Sequence, residues 1–341
     1  MSSERGRGCS TWAPRLTSRA SRRSPSQREQ WGWYTISPRR ARSRRAPRRE
    51  CRRGRIARCR AGRTHFRHEF RPGNDDRQLV LKVLHWLVVT LASPRDDFDG
   101  RVALITGAAR GLGRAATKRL IARGASVAVN VRDQKRADAL ARELGDLAFA
   151  VPGDVTDSDA PDTIIEKVLE RFGRLDILVN NAAYAHSTRF ETLTADEWRR
   201  AIEVNLTAPF LLTKAVVRPM KARKYGRIVN ISSLAGKTVS TLGGAHYTAS
   251  KAGLQGLTRA AAKELGQFGI TVNAICPGMI DTELTREHAT QEQLAALAAS
   301  YPIPRLGTAE EVAELICFVA SEAAGYITGA SFDINGGDLM L

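Results

Sequence analysis

Two side chains near the middle of the second half of the chain have types and spacing that suit proton transfer to a carbonyl oxygen. Tyr247 and Lys251 are four residues apart in "YTASK", so on a helix they project from one face. An ammonium group beside a phenol favours the phenolate and lowers the tyrosine pKa from about 10, which suits a proton donor to a forming alkoxide. For an isolated motif of this spacing, a tyrosine and a lysine stacked on a helix surface is the commoner interpretation.

A serine at the end of a predicted strand adds a second hydroxyl to this chemistry. Ser233 comes two residues after "RIVNI" and lies fourteen residues before Tyr247. Its hydroxyl could hydrogen-bond a substrate carbonyl oxygen and stabilise the charge that forms there. Ser232 competes for the same role, so the residues alone leave the choice open.

A glycine-rich turn lies much earlier, in "TGAARGLG", from Thr106 to Gly113. Gly107, Gly111 and Gly113 permit a tight turn and close approach of a diphosphate to the backbone, while the following helix N-terminus supplies amides and positive potential. The spacing is GxxxGxG and differs from the GxGxxG of the standard dinucleotide motif. An ordinary strand-to-helix turn explains many such matches, but the position directly after "VALIT" favours a phosphate site.

The elements around these residues alternate regularly from residue 99 onward. Short apolar or β-branched runs such as "VALIT", "SVAVNV", "AFAV", "LDILVN", "RIVNIS", "ITVNAIC" and "ASFDI" are separated by longer amphipathic segments, the first from about Gly111 and the second ending at Leu144. This alternation predicts an α/β fold, a Rossmann-type doubly wound parallel sheet of about seven strands with helices on both faces. The ligand is expected at the carboxyl ends of the strands. Residues 99–341 are therefore predicted to form one domain.

Five motifs in register resemble those of the short-chain dehydrogenase/reductase family over residues 99–338. They are "TGAARGLG", "NNAA" at 180–183, "VNISS", "YTASK" and "CPGMIDT". Ala183 departs from the family, which has glycine there, and its methyl group is tolerable unless the backbone needs a positive φ. The resemblance implies an oxidoreductase with Ser233, rather than Ser232, in the catalytic set. It also implies that Asn205, in "VNLTAPF", distorts its helix and links Lys251 to solvent through water.

The resemblance further implies a nicotinamide coenzyme. Asp154 and Val155, in "GDVTD", would hold the adenine edge, and the "CPGMIDT" turn would frame the nicotinamide and diphosphate. The segment from Met279 to Pro304 is expected to be a loop that closes over ligand. The residues assigned to coenzyme binding are Thr106, Gly107, Arg110, Gly111, Leu112, Gly113, Arg132, Asp154, Val155, Asn181, Ala182, Tyr247, Lys251, Pro277, Gly278, Ile280 and Thr282.

Charge at the end of the second strand bears on which coenzyme is used. NAD-preferring relatives carry an acidic residue there to accept the ribose hydroxyls, whereas this chain has Val131. Arg132 and Arg110 could converge on a 2′-phosphate as charge-assisted donors. Asp133 offers the alternative of binding NAD. The sequence predicts NADP(H) in preference to NAD(H).

Within the family, "GRIVNISS" and "YITGASFDINGG" resemble bacterial 3-oxoacyl-[acyl-carrier-protein] reductases. This implies reversible reduction of a 3-oxoacyl thioester, with sugars, polyols, steroids or other small ketones and alcohols as alternatives. An acyl carrier protein partner would need a basic patch, for which Arg223, Lys224 and Arg227 are candidates. A homotetramer is also implied. A non-catalytic NADP-sensing or nucleic-acid-binding protein is the alternative of another class, and the intact Ser233, Tyr247 and Lys251 argue against it.

The net charge is confined to one end of the chain. The chain has 341 residues and a formal charge of +18, and its first 72 residues hold 22 arginines, four glutamates and no lysine. The remainder balances 31 basic against 31 acidic residues, so we expect no specific nucleic-acid partner. Residues 1–77 are predicted to be disordered. They could bind anions, act as a targeting sequence, or be translated upstream sequence without function, and the absence of lysine favours the last.

An apolar stretch follows the arginine-rich segment. Residues 78–98 begin with "QLVLKVLHWLVVTLASP", which is too short and too broken by charge for a confident membrane span and predicts a helix or linker; a weak signal-like segment is the alternative. Five irregularly spaced cysteines indicate no disulfide framework and favour a reducing cytoplasm. No metal is expected, a zinc site at Cys51, Cys59, His65 and His68 being the weak alternative. Cys276 and Cys317 are expected to fill core space.

Overall fold

The computed structural model describes residues 97–240 and 242–340. The predictions for the arginine-rich segment 1–77, its cysteines and histidines, and nearly all of the 78–98 segment therefore lie outside the described residues.

Seven parallel strands form the central sheet, and two very short strands pair separately. In chain order the strands are β1 (Val102–Thr106), β2 (Ser126–Val131), β3 (Ala148–Pro152), β4 (Ile177–Asn180), β5 (Gly226–Ile231), β6 (Ile270–Pro277), β7 (Ile280–Asp281), β8 (Gly307–Thr308) and β9 (Ser331–Ile334). The main sheet has the order β3-β2-β1-β4-β5-β6-β9, with every pair parallel. The order reverses between β1 and β4, so the carboxyl ends of these strands open the crevice where such sheets bind ligands.

Nine α-helices are found among the described residues. They are α1 (Gly111–Ala122), α2 (Gln134–Leu144), α3 (Ala160–Phe172), α4 (Ala195–Ile202), α5 (Ala208–Arg223), α6 (Ala245–Leu265), α7 (Glu283–His288), α8 (Gln291–Ala299) and α9 (Ala309–Ala320). None of the helices in the described part of the chain has the length and apolar character needed to cross a bilayer.

The helices cover both faces of the sheet. Alternate residues of β1 belong to different cores: Ala103 and Ile105 pack with α1 and α9, while Val102 and Leu104 pack with α3 and α5. Strands buried on both faces read as continuous apolar runs, which is why "VALIT" and its counterparts could be recognised in the sequence. The predicted doubly wound fold is confirmed. Cys276 and Cys317 are buried, as predicted.

The segment from Met279 to Pro304 is more regular than predicted. It forms β7, α7 and α8 rather than a loop. Thr282 caps α7 by accepting a hydrogen bond from the Thr285 amide, and Thr290 forms a capping box with Gln293 at the start of α8. The expectation of an irregular loop is therefore wrong, because two capping threonines start helices too short to show an apolar period.

Candidate active site

The glycine-rich turn has the shape of a phosphate cradle. Gly107 has φ +64°, and a Cβ on Gly113 would lie 2.4 Å from the Gly107 carbonyl oxygen, so only glycine permits this approach. Helix α1 begins at Gly111, and its first turn holds no acidic residue. The first amides of the helix therefore face the turn with positive potential, an arrangement that fits a diphosphate.

Thr106 and Asn181 hold this turn against the end of β4. The Thr106 hydroxyl accepts hydrogen bonds from the backbone amides of Asn181 (2.9 Å) and Ala182 (3.0 Å). The Asn181 side-chain amide donates to the carbonyl oxygens of Thr106 (2.9 Å) and Gly107 (3.2 Å). The side chains of both residues thus position the turn rather than project from it toward a coenzyme.

Two other predicted coenzyme residues have their side chains in the core. Val155 is 6% exposed and Ile280 is 5% exposed. Only the backbone of these residues is free to face a ligand. Pro277 and Gly278, by contrast, line the substrate cleft described below.

The carboxylate of Asp154 is held in its charged form. Burial by itself would raise the pKa of Asp154, but hydrogen bonds from the amide (3.1 Å) and hydroxyl (2.8 Å) of Thr156, with the charges of Arg200 and Arg132, lower the pKa. Asp154 therefore remains an acceptor at neutral pH at the edge expected to meet the adenine.

The two arginines expected to converge on a 2′-phosphate contact different carboxylates. Arg132 Nη1 lies 4.0 Å from Asp154 Oδ2, and Arg110 Nη1 lies 2.5 Å from Glu287 Oε1 on α7. Asp133 is the N-cap of α2, where its carboxylate accepts the Arg136 amide at 2.9 Å. A carboxylate has acceptor sites beyond this one bond and Asp133 is exposed, so the alternative in which Asp133 binds NAD ribose hydroxyls stays a prediction.

Ser233 and Tyr247 lie together in a cleft of about 310 Å³ at the carboxyl ends of the strands. The Ser233 hydroxyl accepts the Ala235 amide at 3.1 Å and lines the same cleft as Tyr247, whose phenolate form it favours. Ser232 is buried and donates instead to the Lys251 carbonyl oxygen at 2.9 Å. The structure thus directs Ser233 into the cleft, and Ser232 binds α6. The other side chains lining the cleft include Leu234, Val239, Leu242, Met279, Leu284, Thr285, His288, Tyr301, Asp338 and Leu339.

Lys251 is buried beneath the tyrosine. Its Nζ donates to the Ile231 carbonyl oxygen at 2.7 Å and lies 5.6 Å from the centre of the Tyr247 ring. Burial lowers the pKa of Lys251 to about 8. At pH 7 the side chain is therefore still protonated, but only by a margin of about one pH unit.

The expected depression of the tyrosine pKa is not present in this structure. Burial raises the pKa of Tyr247, and the nearby Ser233 hydroxyl, which favours the phenolate, offsets this only in part. The expectation rested on a neighbouring ammonium, but the Lys251 ammonium is turned to the Ile231 carbonyl rather than to the phenol. That expectation is therefore wrong for the structure described here.

Asn205 lies where the helical backbone is distorted. Residues Glu203–Thr207 form a π-helical turn between α4 and α5. The Asn205 side chain accepts the Tyr184 amide at 2.8 Å and donates to the Tyr184 carbonyl (2.9 Å) and the Ser250 hydroxyl (3.0 Å). The distortion expected from the resemblance is present. The further link from Asn205 to Lys251 stays a prediction.

A row of polar side chains under the cleft was missed in the sequence. Asn180 Nδ2 donates to Asn230 Oδ1 at 2.8 Å, and Asn230 Nδ2 donates to the Thr258 hydroxyl at 2.9 Å. These bonds tie the ends of β4 and β5 to α6. A polar residue inside the apolar run "RIVNIS" was the available signal, because a buried amide needs partners.

A row of aromatic rings was also missed. Tyr184 packs on His186 (ring centres 4.8 Å apart) and on His246 (6.1 Å), and His186 meets His288 edge-on at 5.8 Å. Burial lowers the pKa of His246, so its ring is neutral at pH 7. Because His288 lines the cleft, this row joins the start of α6 to the substrate side of the site.

Two further expectations, on Arg227 and Ala183, have clear structural outcomes. Arg227 is 4% exposed, donates to the Gly226 carbonyl at 2.9 Å and lies 4.3 Å over the Tyr225 ring. It therefore cannot belong to a docking patch, which corrects that assignment. Ala183 is exposed with a negative φ, so its methyl group is accommodated. Within 97–240 and 242–340, no three His, Cys, Asp or Glu side chains are placed to hold a metal ion.

Comparison with known proteins agrees with this geometry. Residues 107–338 match the family model described as enoyl-(acyl carrier protein) reductase. The chain is 41% identical over 245 residues to the 3-oxoacyl-[acyl-carrier-protein] reductase FabG of Escherichia coli K12, covering 72% of this chain and 100% of the relative. It is 42% identical over 245 residues to the 3-oxoacyl-[acyl-carrier-protein] reductase of Synechocystis, covering 70% of this chain and 97% of that one.

Two solved structures are also similar. The 3-oxoacyl-[acyl-carrier protein] reductase of Brucella melitensis superposes with a TM-score of 0.69 at 35% identity, over 73% of this chain and 94% of that one. A putative gluconate dehydrogenase from Agrobacterium tumefaciens gives a TM-score of 0.68 at 34% identity, over 73% and 100%. Similarity of fold therefore extends to proteins named for different substrates.

Proposed function

We propose, since the chain belongs to the short-chain dehydrogenase/reductase family, that it reduces a 3-oxoacyl thioester to the 3-hydroxyacyl thioester with NADPH, reversibly. Family membership makes the chain an oxidoreductase acting on C=O or CH–OH groups. The substrate, the coenzyme and the role of each residue are the parts proposed.

One observation carries the proposal. Ser233 and Tyr247 line the same cleft, close enough that the Ser233 hydroxyl favours the phenolate form of Tyr247, and the buried Lys251 ammonium lies 5.6 Å from the centre of the Tyr247 ring. A pair of hydroxyls converging on one point is suited to hold a carbonyl oxygen and to stabilise the negative charge that forms there. A surface tyrosine and lysine, the ordinary interpretation of "YTASK", would not share such a cleft.

The proton steps follow from these contacts. The coenzyme, when bound, supplies hydride to the carbonyl carbon. Ser233 and Tyr247 hold the carbonyl oxygen, and Tyr247 gives its phenolic proton to that oxygen as the C–O double bond is reduced. Protonated Lys251, whose Nζ lies 5.6 Å from the centre of the Tyr247 ring, stabilises the resulting phenolate by its charge. Lys251 then gives a proton to the phenolate, which restores Tyr247, and Asn205 is proposed to help return a proton to Lys251 from solvent.

Charge around the coenzyme turn supports NADP(H) over NAD(H). Val131 ends β2 in place of a carboxylate, and the Asp133 carboxylate caps α2. Arg110 and Arg132 are both exposed at this end of the crevice, with side chains 54% and 73% accessible. Two guanidinium groups without a competing acid at Val131 favour a coenzyme that carries a 2′-phosphate.

The thioester is favoured by the relatives, and a sugar acid is the second candidate. Relatives at about 41% identity are named 3-oxoacyl-[acyl-carrier-protein] reductases, and one structural relative is named a putative gluconate dehydrogenase. The proposed protein partner is an acyl carrier protein, for which Arg223 and Lys224 remain exposed cations at the end of α5. The proposed assembly is a homotetramer.

A substrate panel tests the proposal. Oxidation of NADPH would be followed with an acetoacetyl thioester, a crotonyl thioester and a set of keto sugars and keto sugar acids, each also with NADH. We expect the highest kcat/KM for the acetoacetyl thioester with NADPH, by about tenfold or more, equivalent to about 1.4 kcal/mol. A higher value for a keto sugar acid would favour the second candidate, and a higher value for the crotonyl thioester would indicate C=C reduction. No oxidation with any substrate would contradict the proposed activity.

A further inference from the structure

An ion pair joins the coenzyme turn to the substrate side of the cleft. Arg110, directly before Gly111, pairs with Glu287 of α7 at 2.5 Å, across 177 residues of sequence. Helix α7 lies close to the turn as well, since a Cβ on Gly111 would be 3.6 Å from Thr282 Cγ2 and 3.7 Å from Glu283 Oε2. The guanidinium is therefore held by a carboxylate of the chain itself.

The arginine next to Glu287 is paired with a different carboxylate. Arg286 makes a bidentate pair with Asp281 at 2.8 and 2.9 Å. Glu287 forms its ion pair with Arg110 instead. An anion that binds the Arg110 guanidinium must therefore either displace the Glu287 carboxylate or lie close to it.

We propose that Glu287 competes with the 2′-phosphate of NADP(H) for Arg110 and so sets how strongly the protein prefers NADP(H) to NAD(H). The inference rests on the proposed coenzyme, in which Arg110 is one of two cations for that phosphate. A guanidinium can face both anions only if the two negative groups come close together, which costs energy. Glu287 is thus a specificity-determining residue outside the five motifs named in the sequence analysis.

The size of the effect follows from the exposure of the pair. Arg110 and Glu287 are 54% and 51% exposed, so water screens their attraction. Exposed ion pairs contribute about 0.2–1 kcal/mol, which corresponds to a change in affinity of up to about fivefold. A 2′-phosphate that no longer has to displace Glu287 should therefore bind more tightly by a factor in this range.

Direct binding tests this without any turnover. Dissociation constants of adenosine 2′,5′-bisphosphate and 5′-AMP would be measured by calorimetry for the full chain and for Glu287→Gln. We expect Glu287→Gln to tighten the bisphosphate by about 1.4- to fivefold, the range of an exposed pair, and to leave 5′-AMP unchanged. Raising the salt concentration should shrink the difference, because both anions are exposed to solvent.

A matched control separates a local effect from a change in net charge. Glu314 makes the same kind of exposed pair with Arg119, at 2.6 Å and with 54% and 43% exposure, between α9 and α1. Glu314→Gln changes the net charge equally and should leave both dissociation constants unchanged. In an Arg110→Met background, Glu287→Gln should have no effect on the bisphosphate, since the competition needs the guanidinium.

The possible results distinguish failure of this inference from failure of the proposed coenzyme preference on which it rests. If the wild-type chain binds the bisphosphate no better than 5′-AMP, the coenzyme proposal and this inference both fail. If the wild type discriminates but Glu287→Gln binds the bisphosphate equally or more weakly, only this inference fails, and Glu287 then orients Arg110 rather than competing for it. An equal gain in Glu314→Gln would also overturn it.

Discussion

At the residue scale, burial shifts the pKa values of Lys251 and Tyr247 in opposite directions. It lowers the pKa of Lys251 to about 8 and raises the pKa of Tyr247. Both shifts favour the uncharged forms, since burial penalises whichever form carries charge. The lysine is thus the group whose charge changes nearest to neutral pH.

The pH dependence of reduction follows from Lys251. The proposed mechanism needs the protonated ammonium, which is present below its pKa of about 8 and is lost as the pH rises through that value. We expect kcat/KM for reduction to fall on the alkaline side with an apparent pKa near 8, because this parameter reports groups of the free enzyme. The check is a pH profile between neutral pH and mild alkali.

A control excludes the other lysine of the same helix. Lys263 lies on the exposed surface of the same helix, α6, and Lys263→Met should leave the alkaline limb in place. A flat profile through pH 9, where a group of pKa about 8 is mostly deprotonated, would show that the charge of Lys251 is not required.

Residue identity was more predictable from the sequence than residue partnership. Tyr247, Lys251 and Ser233 were recognisable by type and spacing, and the structure places them together. The bond from Thr106 to Asn181 and the pair of Arg110 with Glu287 join residues 75 and 177 positions apart. Local pattern contains no information about such contacts, because they exist only once the sheet and α7 are assembled.

At the element scale, the elements with strong apolar patterning were predicted closely. β1, β2 and the end of α2 at Leu144 coincide with the expected segments, because doubly buried strands are continuous apolar runs. Helix α7 has six residues and a two-residue strand precedes it, so neither is long enough to show a period. The π-helical turn at Glu203–Thr207 was indicated only by family resemblance.

One glycine sets how closely the Ser233 turn approaches α6. A Cβ on Gly236 would lie 2.7 Å from the Lys251 carbonyl carbon and 2.5 Å from Gln255 Nε2. We expect Gly236→Ala to push the turn away from α6, lowering the free energy of unfolding by about 1–3 kcal/mol and reducing kcat. Chemical denaturation and initial rates measure the two effects.

Gly256 provides the matched control on α6. A Cβ there meets nothing within 4 Å. Gly256→Ala should therefore raise the free energy of unfolding by about 0.5–1 kcal/mol, the usual gain for this change within a helix, and leave kcat unchanged. Equal behaviour of the two variants would show that close packing at Gly236 does not matter.

At the scale of the whole molecule, the catalytic unit and the net charge occupy different parts of the chain. The entire Escherichia coli relative aligns with 245 residues of this chain, or 72% of it. The net charge of +18 is carried by the first 72 residues, whose composition offers little apolar surface to bury. We propose that residues 99–341 form the catalytic domain and that the preceding segments are dispensable for its activity.

Truncation tests this division. A chain lacking residues 1–94 should keep its Tm within about 2 °C, less than the 2–4 °C that a loss of 1 kcal/mol causes in a domain of this size. It should also keep kcat/KM for NADPH oxidation unchanged. The comparison is with the full chain at matched concentration. Insolubility, or a cooperative transition at a clearly lower temperature, would show that the domain needs those residues.

The central claim, that Tyr247 gives its proton to a carbonyl oxygen, is tested most directly by Tyr247→Phe. This variant removes one oxygen atom and keeps the ring that lies 5.6 Å above Lys251. We expect its NADPH dissociation constant to stay within about twofold of the wild type, because the ring and the glycine-rich turn proposed to hold the diphosphate are kept, while kcat with the acetoacetyl thioester falls by about 10²–10⁴, the usual contribution of a positioned acid. A kcat within about tenfold of the wild type, with coenzyme binding intact, would contradict the assignment.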